Sequence, residues 1–164
     1  MEKKLKNKIK KIKFVITDVD GVLTDGGLYY TNDGLVMKKF QVKDGMGTAL
    51  LRNAGIEYGI ISTDVSEMAI KRAERLKMNF CYIAIENKAE KVREICKEKN
   101  LKLENIAFIG DDVNDISIMK IAGLTACPKD ATAQIKKLSD YICKKNGGEG
   151  AFREFVDLIL ENKK

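Results

Sequence analysis

From Phe14 onward, short apolar runs alternate with longer stretches of helical periodicity, a pattern that leaves few folds open. Strands separated by helices pair in parallel, and a parallel sheet needs cover on both faces. The runs are residues 14–18 (FVITD), 57–62 (EYGIIS), 80–83 (FCYI) and 106–110 (IAFIG), with weaker strand signals at 124–126 and 141–143. Helices fit between them at 46–54, 65–77, 88–99, 114–121 and 131–138, and an amphipathic helix fits 151–161. In 65–77, Val65, Met68, Ala69, Ala73 and Leu76 fall at helical spacing, interrupted only by Arg72. The expected fold class is therefore α/β, a Rossmann-like parallel sheet flanked by helices. A chain of 164 residues can bury one sizeable core and leaves little room for a second domain, so residues 1–164 read as a single domain.

One segment breaks the alternation. Thr31-Asn32-Asp33-Gly34 separates two strand-prone stretches, and Asp-Gly in that setting is a strong turn signal, so residues 27–42 read as a β-hairpin. Inserted directly after the first strand, it should stand at the carboxyl edge of the sheet, where ligands bind in such folds. Residues 1–13 form a basic segment with seven Lys against Glu2, and the remainder holds equal numbers of basic and acidic residues. With no aromatic-basic platform, nucleic acid is not an expected partner. Neither is a membrane: no apolar run approaches the roughly 20 residues of a span, and the lysine-rich start lacks a signal-peptide core, so the expected location is the cytoplasm.

Composition narrows the chemistry. The chain contains no histidine, which rules out Ser-His-Asp and Cys-His catalysis, phosphohistidine intermediates and histidine-built zinc sites within one chain. Cys81, Cys96, Cys127 and Cys143 form no CxxC pair and read as small core residues of a reduced compartment. Carboxylates, lysines, hydroxyls and thiols are the remaining candidates. Asp18-Val19-Asp20-Gly21 ends the first strand run, and Gly110-Asp111-Asp112 ends the fourth, with Asp115 following. If those strand ends converge, the like charges either raise one another's pKa or are neutralised by a cation, and an all-oxygen ligand set favours Mg²⁺. Ser62 and Thr63 end the second run just before a helix, a setting suited to phosphate. Lys88 opens the helix after the third and can supply a compact cation. Carboxylates, a metal, a hydroxyl and a lysine together suit phosphoryl transfer. Asp115 admits two readings, an outward first-turn carboxylate or a supporting residue of the site.

In order and spacing, DVDGVLTDG at 18–26, Ser62, Lys88 and GDDVND at 110–115 resemble the four motifs of the haloacid dehalogenase superfamily. The short hairpin and the closing GGEGAFRE at 147–154 are similar to the small phosphatases without a cap domain that act on 3-deoxy-D-manno-octulosonate 8-phosphate (KDO 8-phosphate) and nonulosonate 9-phosphates. The resemblance implies Asp18 as nucleophile and Asp20 as the acid–base residue. It implies Ser62 and Lys88 as phosphate ligands, and a Mg²⁺ site built from Asp18, the Asp20 carbonyl, Asp111 and Asp112. It also implies a homotetramer in which the hairpin and the 146–164 tail of neighbouring subunits roof the pocket. In that arrangement the glycines at 147–150 let the tail swing, and Arg153 pairs with a substrate carboxylate next door.

At the second motif the chain has Ser62-Thr63-Asp64, where many KDO 8-phosphate phosphatases resemble one another in carrying Gly-Arg after the hydroxyl. An acidic residue there is similar to the branch acting on 2-keto-3-deoxynononate and N-acylneuraminate 9-phosphates, with Arg75 placed to meet a sugar carboxylate. Thr63, Asp64, Arg75 and Arg153 are thus the expected substrate residues. A competing reading makes Asp64 and Glu67 the capping box of the helix that follows. A functional rival of another class is the phospho-accepting receiver module, but its phosphorylated Asp ends the third strand, and here FCYI ends without one.

Overall fold

All four residues of the first strand, β1 (Phe14–Thr17), are buried, as expected of a β-branched and aromatic run covered on both faces. The computed structural model describes residues 3–163. β1 pairs in parallel with β4 (Glu57–Ile61) on one side and β6 (Ile106–Ile109) on the other. β5 (Phe80–Tyr82), β7 (Leu124–Cys127) and β8 (Tyr141–Ile142) complete a six-stranded parallel sheet in the order β5-β4-β1-β6-β7-β8. β2 (Tyr29–Thr31) and β3 (Gly34–Met37) form a separate antiparallel hairpin.

Side chains alternate across the sheet with period two, and the core divides accordingly. Val15, Ile60, Ala107 and Ile109 face a cluster completed by α1 (Lys3–Lys11), α2 (Val42–Asn53), α3 (Met68–Leu76) and α7 (Ala151–Asn162), through residues such as Ile9, Leu51, Ala73 and Phe155. Phe14, Ile16, Ile106 and Phe108 face the other layer, α4 (Lys88–Glu98), α5 (Ile116–Met119) and α6 (Ala133–Leu138), where Val92, Ile95, Ile118 and Ile135 pack. The basic segment folds back as α1, with Ile9 buried and Lys8 and Lys11 paired to Asp140 and Glu104.

Three boundaries differ from expectation for identifiable reasons. Helix α2 begins at Val42, where a strand end was expected, because the hairpin's second strand stops at Met37 and the Gln41 side chain accepts the Lys43 N–H as a cap. Helix α3 begins at Met68, and the capping box of Asp64 with Glu67 does not form: Glu67 caps nothing with its side chain, while Asp64 accepts the Ser66 N–H and pairs with Lys38. The stretch at 114–121 opens as a 3-10 turn, Val113–Asp115, before the single turn of α5.

The Gly-rich stretch before α7 is docked against the core. Gly147 donates its N–H to Asp130 and Gly148 donates to the Val22 carbonyl. A β-carbon on Gly147 would stand 1.9 Å from the Gly21 carbonyl oxygen, and one on Gly148 would stand 2.3 Å from the Asp25 nitrogen. Gly147 and Gly148 therefore serve close backbone approach to the 19–26 loop. Gly150 has no side chain to cap α7; buried Asp44, reaching from α2, accepts the Arg153 N–H at 2.8 Å instead. Gly147→Ala is expected to cost about 1–3 kcal/mol in urea unfolding and to lower activity by displacing the loop that carries Asp20.

Candidate active site

Register brings the candidate residues together. Thr17 is level with Ile60 of β4 and Ile109 of β6, so the residues that leave these three strands emerge side by side. Asp18 continues the ladder by donating its N–H to the Ile109 carbonyl at 3.0 Å. Beyond it the chain turns tightly, with the N–H groups of Val22, Leu23 and Thr24 converging on the Val19 carbonyl. A bridge between Thr24 and Phe40 closes the base of the hairpin. Gly21 adopts φ +75° in this turn, and a β-carbon there would collide with the Asp111 carboxylate at 2.0 Å. The glycine lets two acidic segments lie in contact.

A cleft of about 270 Å³ opens at this edge, lined by Asp18, Asp20, Ser62, Thr63, Asp64, Asp111, Asp112 and Asn114 with Gly21 and Gly26. The Asp18 carboxylate is held at both oxygens: Oδ1 accepts the Val19 N–H at 2.7 Å, and Oδ2 lies 2.9 Å from Lys88 Nζ. Lys88 is wholly buried and also pairs with the wholly buried Asp115 at 2.6 Å. Burial opposes its charge, but the carboxylates of Asp18 and Asp115 hold its ammonium above the ordinary lysine range. Asp115 further accepts the Asp111 N–H at 3.0 Å. Of the two readings open for Asp115, the structure supports the inward one.

Asp18, Asp111 and Asp115 each offer an oxygen within 4.8 Å of the other two. Burial, followed by the charges of Asp18, Asp115 and Asp112, pushes Asp111 up to about 8. Burial and Asp18 likewise push Asp115 up, against the pull of Lys88. Such crowding is the condition a hard divalent cation relieves, and the donors are all oxygen, so the residues fit the metal expected of them. Asp112 stands outside this trio; its exposed side chain caps the following turn by accepting the Val113 N–H at 2.7 Å, while still lining the cleft.

Ser62 is buried and its oxygen accepts the Asp64 N–H at 3.2 Å, which leaves the hydroxyl proton to donate into the cleft. Thr63 accepts from Asn114 at 3.2 Å, joining the second and fourth motifs. Asp20 turns toward the hairpin, 2.7 Å from Lys38, which also pairs with Asp64 at 2.6 Å. Lys38 escaped the sequence reading because it stands among many lysines. Arg75 is exposed in the last turn of α3 and does not line the cleft. Arg153 pairs with Asp157 at 2.8 Å and lines a separate groove of about 440 Å³ beside α7. Neither reaches the cleft of its own chain.

Comparison with known proteins agrees with this geometry. Residues 64–155 match the family of haloacid dehalogenase-like hydrolases. The chain is 36% identical over 157 residues to the 3-deoxy-D-manno-octulosonate 8-phosphate phosphatase KdsC of Haemophilus influenzae, covering 96% of this chain and 87% of the relative. The cobalt-bound structure of the deoxy-D-mannose-octulosonate 8-phosphate phosphatase from that organism superposes with a TM-score of 0.91, over 95% of this chain and 91% of the other. The Moraxella catarrhalis 3-deoxy-D-manno-octulosonate 8-phosphate phosphatase, in complex with magnesium, phosphate and KDO, superposes with a TM-score of 0.95 at 34% identity, over 99% and 94% of the two chains. With its carboxylate cleft, its parallel sheet and its uncapped hairpin, the chain belongs to the haloacid dehalogenase-like hydrolases, within the family of the KDO 8-phosphate phosphatases, and is a phosphoric monoester hydrolase.

Proposed function

We propose that the protein hydrolyses the phosphate monoester of a 2-keto-3-deoxy sugar acid of the KDO 8-phosphate type, with Mg²⁺, through a phosphoryl group carried on Asp18. The observation that carries this reading is Asp18 itself, buried at a strand end and fixed at one oxygen by a backbone N–H and at the other by Lys88. A carboxylate is a weak nucleophile, and this fixing gives it the in-line placement that phosphoryl transfer requires. Ser62 and Lys88 would hold the transferring oxygens. Asp20 would donate a proton to the departing sugar oxygen and then take one from the attacking water. Asp18, Asp111 and the Asp20 carbonyl would hold Mg²⁺, with Asp112 or Asp115 in support, and the bound cation would neutralise phosphate charge that the carboxylates otherwise repel.

The nine-carbon alternative, a nonulosonate 9-phosphate, draws on Asp64 standing where relatives resemble one another in carrying Arg. The receiver alternative loses ground because the third strand delivers no carboxylate to the site. The expected setting is the cytoplasm; no helix among the described residues is long and apolar enough to cross a membrane.

For the oligomer, the supporting observation is a hairpin that exposes Leu28, Tyr29, Tyr30, Val36 and Met37 beside Val42 and Met46 of α2. Apolar surface of that kind suits a homotetramer in which neighbouring subunits roof the open cleft and bring Arg75 or Arg153 to the sugar carboxylate. Tyr30→Glu with Val36→Glu is expected to shift the mass seen by sedimentation toward smaller species and to raise KM more than it lowers kcat.

Phosphate release from KDO 8-phosphate and from nine-carbon ulosonate phosphates, measured side by side, tests the reaction. Asp18→Asn or EDTA is expected to abolish turnover, and an Asp18→Asn protein that still turned over either ester would overturn the mechanism. A thermal readout checks the metal reading independently. Asp111 and Asp115 have raised pKa values when folded, and so does Asp44, pushed to about 6 by burial. The folded chain therefore keeps protons that the unfolded chain has released. Without divalent cations, Tm should fall between about pH 5 and about pH 8, and millimolar Mg²⁺ should remove most of that fall. The lowered pKa of Asp64 acts only in more acidic solution and the raised pKa of Lys88 only in more basic solution, so neither masks the effect.

A further inference from the structure

Lys38 and Lys39 follow the same hairpin strand and do different things. Lys39 turns outward to Asp25 at 3.0 Å, with more than half of its side chain exposed. Lys38 turns inward until its side chain is 1% exposed, and it places Nζ 2.7 Å from Asp20 and 2.6 Å from Asp64. A staple for a surface hairpin could be apolar at far lower desolvation cost. This one is an ammonium, and it ends on the carboxylate assigned to proton transfer. The other oxygen of Asp20 has only a long contact, 3.4 Å from the Thr24 hydroxyl, so Lys38 provides its strong orienting bond.

Asp64 is the second anchor and is itself tied down. It accepts the Ser66 N–H at 3.2 Å, and its own N–H is donated to Ser62. A continuous chain of bonds thus runs from the phosphate-side hydroxyl of Ser62 through Asp64 and Lys38 to Asp20. Burial works against the charge on Lys38, yet its bonds to Asp20 and Asp64 hold the ammonium above the ordinary lysine range. Lys38 keeps its proton and acts through geometry.

Resting on the phosphatase reading above, we propose that Lys38 is a positioning residue for proton transfer, anchored by Asp64, which aims the Asp20 carboxyl group at the departing sugar oxygen. In the first half-reaction the Asp18–phosphorus bond forms as the phosphorus–sugar oxygen bond breaks. The bonding pair stays on the sugar oxygen and the Asp20 proton completes the hydroxyl. In the second half, water oxygen bonds phosphorus, the Asp18–phosphorus bond breaks with its pair returning to Asp18, and the water proton passes to Asp20. Lys38 contributes no proton to either step. Asp64, which also lines the cleft, anchors Lys38 in this role.

The test compares an alkyl ester, KDO 8-phosphate or whichever ulosonate phosphate the wild type prefers, with p-nitrophenyl phosphate, whose leaving group departs without needing a proton. Lys38→Met is expected to lose about 10²-fold in kcat/KM on the sugar ester, with KM within about threefold, and less than about fivefold in kcat/KM on p-nitrophenyl phosphate, because kcat/KM reports leaving-group departure and not the hydrolysis of phosphorylated Asp18 that both esters share. Lys38→Arg should recover part of the kcat/KM on the sugar ester. If Lys38→Met folds poorly because two carboxylates are left facing each other, the double variant Lys38→Met with Asp64→Asn removes both charges and should show the same selective loss. Equal losses in kcat/KM on the two esters, a rise in KM at unchanged kcat, or no loss at all would each overturn the proposal. Wild-type protein that released phosphate from neither ester would instead overturn the phosphatase reading on which it stands.

Discussion

The carboxyl edge of this sheet is organised around one buried ammonium. Lys88 has no exposed surface and bonds Asp18 and Asp115 together, so a strand-end carboxylate and one from the 3-10 turn can occupy one dry corner without driving each other out. The balance it strikes is incomplete. Six carboxylates, those of Asp18, Asp20, Asp64, Asp111, Asp112 and Asp115, gather around the cleft with the two ammonium groups of Lys88 and Lys38. A phosphate ester is itself an anion, and its approach to such a place is unfavourable until further positive charge arrives. That deficit is the physical reason to expect a divalent ion here.

Much of this was legible in the sequence because strand ends in a parallel sheet converge by topology. Once FVIT and IAFI are taken as neighbouring strands, Asp18 and Asp111 must meet, whatever the surrounding loops do. Ser62 follows from the same argument at the end of β4, whereas Lys88, the first residue of α4, was legible from the order of the motifs. The supporting partners were not legible. Asp115 was ambiguous because a first-turn carboxylate has the same local sequence whether it faces water or Lys88, and only the tight 3-10 turn returns it beneath the Asp111 N–H. Lys38 was missed because an inward lysine needs partners from two other segments, and nothing local to the hairpin names them. Asp64 misled in the opposite direction: a plausible local cap lost to a tertiary ion pair.

The hairpin joins these two levels. Its strands present tyrosines and aliphatic side chains to the outside, while its base is bridged to Thr24 and the residues after its last strand deliver Lys38 to the site. A surface suited to a neighbouring subunit and a contact to the proposed acid–base residue are therefore carried by one short element, so any shift imposed on the outside has a direct mechanical route to Asp20.

The close seating of Gly147 and Gly148 against the 19–26 loop has a consequence for how the polypeptide is made. The two partners are separated by most of the chain, so the turn carrying Asp20 leaves the ribosome early and waits, without its backing, until nearly everything else has been synthesised. Phosphate-releasing competence should thus be among the last properties a growing copy acquires, well after its central strands have paired.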